Sequence, residues 1–238
     1  MILFFIVTAA YSALLLFYRP SPSSLKDAPL TFLENFKQIK AALFSGLLFF
    51  SIFLFTSDFG FNEVNQQLYR LFALNNVSAA AILWPLQSVT HLFIHLNFPH
   101  VLTNVAGLGI AAVYERQVGS GRFLMVLLVA GLSSIPSILF YSEPIAICGI
   151  SGGVFGLAAA YFTDQEGLST KEWLYAVIIC LVFLVLLSFG NSMESKANGQ
   201  LQYKIDYYGH ALGALGAIVY CRFRPRKLAD KPWLANSD

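Results

Sequence analysis

The sequence predicts an all-α polytopic membrane protein, and three observations carry that reading. Charged residues make up 12% of the 238 residues and hydrophobic ones 57%, with a mean hydropathy of +0.64; a soluble domain carries roughly a quarter charged residues. Apolar stretches of bilayer-spanning length alternate with short charged connections, which is the pattern of transmembrane helices. The basic residues are also one-sided. With the N-terminus outside, twelve of the fifteen Lys and Arg residues fall on cytoplasmic connections, leaving Arg70, Lys196 and Lys204 outside, as the positive-inside bias requires.

Seven spans follow in order: 1–17, 41–57, 96–114, 123–141, 145–163, 173–189 and 205–220. The first lacks the positive leader of a signal peptide, and Arg19 and Lys26 follow it, so it counts as a span. The connection 58–90 is long and mixes aromatic and aliphatic residues with few charges. It reads as a segment lying in the outer interface or as an ordinary packed loop. A net charge of +2 argues against nucleic-acid binding. Cys148, Cys180 and Cys221 sit in apolar stretches without metal-ligand spacing, which marks buried thiols and no disulfide framework. No repeat of the kind transporters show is present.

Polar side chains inside spans are costly and raise a functional hypothesis. His100 and Asn104 lie in the third span, Ser151 in the fifth and His210 in the seventh. Counted from the charges at the cytoplasmic ends, all four lie about 17–22 Å up. That is one level, roughly 10 Å below the outer edge of a ~30 Å hydrocarbon core. Gly152 and Gly156 on the fifth span, and Gly209 and Gly213 on the seventh, are each four apart. Such spacing lets two helix backbones approach closely, as a serine on one helix needs to reach a histidine on another. Singly, each residue also has a plainer reading: a serine bonded to its own helix, a histidine or asparagine tying helices together. Their coincidence at one depth favours a site.

Gly149-Ile150-Ser151-Gly152 resembles the rhomboid family's Gly-x-Ser-Gly motif, in which the serine begins a short helix. Tyr208-Gly209-His210-Ala211-Leu212-Gly213 resembles its second motif, a histidine followed three residues later by glycine. His91-x3-His95-x4-His100-x3-Asn104 resembles the histidine-rich start of the second core helix, and Glu115 with Gly119-Ser120 resembles the turn after it. The resemblance implies a rhomboid-like six-helix core over 41–222, preceded by an extra transmembrane helix and linker (1–40) and followed by a basic cytoplasmic tail (223–238). It implies an intramembrane serine endopeptidase with Ser151 as nucleophile and His210 as general base. His100, Asn104 and the Ser151 backbone N–H would form the oxyanion hole. Phe155 would pack against the catalytic histidine, His95 would brace the loop region, and Gly149, Gly152, Gly209 and Gly213 would support the site. Leu86 and Gln87 stand where the family often has a Trp-Arg pair, and Gln117 stands where it often has Arg.

The implied partners are membrane-anchored protein substrates and the lipid bilayer, with no cofactor, metal or nucleic acid. The implied location is a bacterial inner (cell) membrane, with the C-terminus cytoplasmic. Gly149-Ile150-Ser151-Gly152-Gly153 also fits the nucleophile elbow of soluble α/β-hydrolases, but no parallel-sheet pattern surrounds it. His91 and His95 have no third ligand or His-Glu-x-x-His pattern to make a metal site. The remaining alternatives are a catalytically silent rhomboid-like protein that binds membrane clients and, against the absence of a mid-membrane acid, a transporter.

Overall fold

The computed structural model describes residues 1–21, 28–77, 82–165, 167–189 and 205–226. Among them are nine α-helices: α1 Ile2–Phe17, α2 Phe32–Thr56, α3 Gln66–Phe72, α4 Trp84–Thr90, α5 Phe98–Val118, α6 Ser120–Ser133, α7 Ser151–Thr163, α8 Thr170–Phe189 and α9 Tyr207–Phe223. The seven longer ones overlie the expected spans. By length and apolarity, α2 and the continuous Ser120–Phe140 run can cross a bilayer, and α1 is a shorter apolar helix. The architecture is that of an all-α membrane protein.

Local chemistry explains where the helices start and turn. Thr31 and Glu34 form a reciprocal capping box at the start of α2, satisfying N–H groups that have no helical partner. Asn97 caps α5 through the His100 N–H at 3.0 Å. Gly119, at φ +80°, turns α5 directly into α6, a backbone conformation that favours glycine. Asp206 caps α9 by accepting from the Gly209 N–H at 2.9 Å.

The helix of the fifth span starts later than the apolar run 145–163 suggests, at Ser151, the serine where the Gly-x-Ser-Gly resemblance puts a helix start. The preceding residues include a strand, β2 (Ala146–Ile147), paired antiparallel with β1 (Leu74–Asn75). Asn76 reinforces the junction: its amide donates to the Tyr141 and Glu143 carbonyls at 3.2 and 2.9 Å, and its Oδ1 accepts from Ile145 N at 2.9 Å. Periodicity cannot separate a short apolar strand from a buried helical turn, whereas Pro144 and Gly149 bracket the isoleucine-rich run.

The described parts of the 58–90 connection, 58–77 and 82–90, include segments packed against this junction. Gln87, where the family often has arginine, is fully buried, and its amide donates to the Leu71 carbonyl at 3.2 Å. Trp84 Nε1 donates to Asn75 O at 2.7 Å and Thr90 Oγ1 to Phe72 O at 2.9 Å. Phe61, Tyr69 and Leu74 turn inward, while Phe59, Leu71 and Leu86 remain exposed.

At the opposite ends of the helices lies a polar cluster. Glu115 accepts from the Ala41 and Ala42 N–H groups of α2, each at 2.8 Å, and from Ser120 Oγ at 2.7 Å. Arg122 pairs with Asp164, which also accepts from the Tyr114 hydroxyl at 2.5 Å. Helix α1 packs chiefly on α2. Asn35 donates to the Leu15 and Leu16 carbonyls of α1 at 3.1 and 2.8 Å, and Arg116 donates to Asn35 Oδ1 at 2.6 Å.

Candidate active site

The site is assembled by a loop glycine and two helix starts. Gly149 adopts φ +98°, in the region L side chains rarely enter. It also has no room for a side chain, because a Cβ there would lie 2.7 Å from His100 Nε2. Its N–H donates to the His91 carbonyl at 2.7 Å, which ties the loop to the histidine-rich segment. Two residues later Ser151 opens α7. The first N–H groups of a helix have no partner within it, so this serine sits among free backbone donors.

His210 lies in the first turn of α9, with its N–H donating to the Asp206 carbonyl at 3.0 Å. Its Nε2 is 2.8 Å from Ser151 Oγ, a hydrogen-bond distance. The approach depends on glycine at both helices. A Cβ added to Gly213 would lie 2.3 Å from the Gly152 carbonyl oxygen, one at Gly152 would lie 3.3 Å from Gly209 O, and one at Gly156 would lie 3.1 Å from Gly213 O. Phe155, one turn beyond the serine, stacks on the His210 ring at 4.3 Å between centroids and 16° between planes. The stacked phenyl restricts rotation of the imidazole.

His100 and Asn104 reach the same place from α5. The nearest atoms to a side chain placed at Gly149 would be His100 Nε2 and Cε1 and then Asn104 Nδ2, the last at 3.5 Å. Leu96 N donates to His100 Nδ1 at 3.4 Å, which assigns the proton of a neutral ring to Nε2, toward the loop. One Asn104 amide hydrogen goes to the His100 carbonyl at 3.0 Å, leaving the second available. His95 is fully buried, with its ring 5.1 Å from His100 and 5.5 Å from Phe49. His91 contacts the Gln87 carbonyl through Nδ1 at 2.8 Å.

The structure therefore brings Ser151, His210, Phe155, His100, Asn104 and Gly149 together, with His95 behind them. Sequence reasoning missed Asp206. Its carboxylate accepts from Gly209 N and the Tyr141 hydroxyl, both at 2.9 Å, and from Ser137 Oγ at 2.5 Å. The available signal was its place three residues before Gly209, the usual spacing of an N-cap acid and the N–H it accepts from.

A rhomboid domain model matches residues 82–226, more than half of the chain. The rhomboid protease GluP of Bacillus subtilis (strain 168) is 29% identical over 192 residues, covering 78% of this chain and 34% of GluP. YdcA of the same organism, named for the same family, is 35% identical over 138 residues, covering 55% of this chain and 63% of YdcA. The chain thus spans about a third of one relative and under two thirds of the other. With its glycine-bearing loop, serine and histidine all inside the matched region, this chain belongs to the rhomboid family.

Proposed function

We propose that this protein is an intramembrane serine endopeptidase that cleaves membrane-anchored proteins near the outer face of the bilayer. The observation that carries the reading is the 2.8 Å contact between His210 Nε2 and Ser151 Oγ. Serine is a weak nucleophile at neutral pH and needs an adjacent base. As Ser151 Oγ attacks the scissile carbonyl, its proton passes to neutral His210. The developing oxyanion accepts from His100 Nε2–H, the free Asn104 N–H and the Ser151 backbone N–H. His210 then gives its proton to the leaving amine, and a water molecule, deprotonated by the same imidazole, releases the acyl chain. A substrate helix must unwind locally, because an intact helix keeps its carbonyls bonded and shielded.

The proposed architecture is a six-helix core over 41–222 with α1 added in front and a basic tail behind. We place the protein in a bacterial cell membrane, with the N-terminus outside and the C-terminus cytoplasmic. The one-sided basic residues support that orientation. A single cysteine introduced at the exposed Ser142 position of a cysteine-free variant is expected to react with an impermeant thiol reagent on intact cells; protection there would reverse the orientation.

Purified protein is expected to react with a fluorophosphonate probe at Ser151. Ser151→Ala abolishes labelling, and His210→Ala lowers its rate by about 10⁴–10⁶-fold. A folded wild-type protein that takes no label would instead favour a silent client-binding relative.

A further inference from the structure

One acidic side chain joins the start of the His210 helix to the segment that leads to Ser151. Asp206 precedes His210 by one helical turn, and its backbone carbonyl accepts the His210 N–H at 3.0 Å. Capping α9 requires a single acceptor toward Gly209 N, which Oδ1 supplies. The carboxylate does more than that. Oδ1 also takes the Tyr141 hydroxyl at 2.9 Å, and Oδ2 takes the Ser137 hydroxyl at 2.5 Å. Ser137 is fully buried in the 3-10 segment Ile135–Phe140 that ends the α6 run. From Tyr141 the chain runs through β2 to Gly149 and Ser151, ten residues on.

Gly209 supplies a second, independent observation. A Cβ at this position would lie 2.2 Å from Asp206 Oδ2, so glycine immediately before the histidine makes the space the carboxylate occupies. Tyr208 adds apolar contact across the same seam, with its ring 5.3 Å from Phe140 and 5.6 Å from Tyr141. Among the described residues, the three partners of the carboxylate are two hydroxyls and a backbone N–H, none of them on the imidazole ring. Asp206 therefore acts through position and not as the acid of a triad.

We infer that Asp206 is a positioning residue, a carboxylate rivet that fixes the His210 turn of α9 against the segment leading to Ser151. The inference rests on the proposed Ser151–His210 dyad. A slip of about 1 Å between reacting groups can lower a rate by about 10²-fold, so the rivet acts on rate through geometry.

The test uses the full chain, purified in one detergent, with the rate of fluorophosphonate labelling of Ser151 followed across pH and corrected for the folded fraction. Asp206→Ala is expected to lower the high-pH plateau by about 100-fold and the Ser137→Ala/Tyr141→Phe pair by about 10-fold. The pH midpoint stays at the wild-type value in both. Asp206→Asn, which keeps the cap and loses one acceptor, falls between Asp206→Ala and wild type. Wild-type plateau rates in the folded variants would reduce Asp206 to a helix cap and overturn the inference. A shifted midpoint with an unchanged plateau would overturn it too, in favour of an electrostatic role. If Asp206→Ala fails to fold, the hydroxyl pair decides, since it leaves the α9 cap in place. Labelled wild-type protein with unaffected variants defeats the rivet alone, whereas unlabelled wild-type protein defeats the dyad as well.

Discussion

Two helix contacts in this molecule use glycine for opposite ends. Between α7 and α9, Gly213 brings main chain against main chain, since a Cβ there would meet the Gly152 carbonyl at 2.3 Å. Gly152 and Gly156 face the Ser134 and Ala130 side chains first, and a Cβ at each would meet the α9 carbonyls at 3.3 and 3.1 Å. Between α1 and its neighbours, Gly46 and Gly109 form a socket for one side chain. A Cβ at Gly46 would lie 2.4 Å from the Tyr11 ring and one at Gly109 3.1 Å from it. The Tyr11 hydroxyl then donates to Ala42 O at 2.7 Å. Backbone contact has no rotamer to adjust, so it fixes the separation of the Ser151 and His210 helices. A ring in a socket buries apolar area and makes one hydrogen bond, which fastens a helix without setting the position of anything across it. The difference predicts that changes on the α7–α9 side act on turnover, and changes on the α1 side on stability.

Helix α5 belongs to both regions, with Asn104 near Gly149 and Gly109 against Tyr11, so its residues divide the two effects most sharply. Asn104→Ala is expected to lower turnover by about 10²–10³-fold if its amide serves the oxyanion. If Asn104 only ties helices together, the change costs about 0.6–2 kcal/mol of stability and spares turnover. Thermal unfolding and cleavage kinetics on the same purified variant separate the two. Near-wild-type turnover in folded protein would remove Asn104 from the site.

That Asn104 was legible in the sequence at all follows from how strongly a bilayer penalises polar groups. His100, Asn104, Ser151 and His210 stand out from their apolar neighbours, and helical rise alone puts them at one depth. The long helices were legible for the same reason, since apolar stretches must alternate with charged turns. Hydropathy did not show the start of α7, which only the Gly-x-Ser-Gly resemblance put at Ser151. An apolar run reads the same as strand or helix, so the pairing of Ala146–Ile147 with Leu74–Asn75 left no mark in hydropathy. Asp206 was hidden at a span end, where acids are common, and its importance depends on Ser137 and Tyr141, some 65–69 residues earlier in the chain. Gln87 registered only as a departure from the family pattern, because its role lies in backbone carbonyls that no sequence displays.

Gly213→Ala probes the backbone contact itself. The added methyl meets the Gly152 carbonyl, which belongs to main chain and cannot rotate away, so α7 and α9 must part. Overpacking of this kind costs about 1–3 kcal/mol, and the separation lengthens the Ser151–His210 contact. Stability and turnover are therefore expected to fall together, with turnover of the folded fraction at least tenfold lower by the same geometric sensitivity. Loss of stability with full turnover of the folded fraction would show that the site adjusts to the helix separation.

The smallest effect belongs to the N-terminal helix. Tyr11→Phe keeps the ring in its socket between Gly46 and Gly109 and removes only the hydroxyl that reaches Ala42 O. A neutral hydrogen bond contributes about 0.5–1.5 kcal/mol, so a modest fall in unfolding temperature is expected. Ala42 is held from its other side as well, because its N–H donates to Glu115, which limits how far α2 relaxes. The Asn35 bonds to the Leu15 and Leu16 carbonyls keep the end of α1 docked. Turnover of folded Tyr11→Phe protein should therefore equal that of wild type when both are assayed well below their unfolding temperatures. A tenfold fall in turnover without a fall in unfolding temperature would mean that α1 is coupled to the Ser151–His210 pair through α2 and α5, and the division between the two regions would fail.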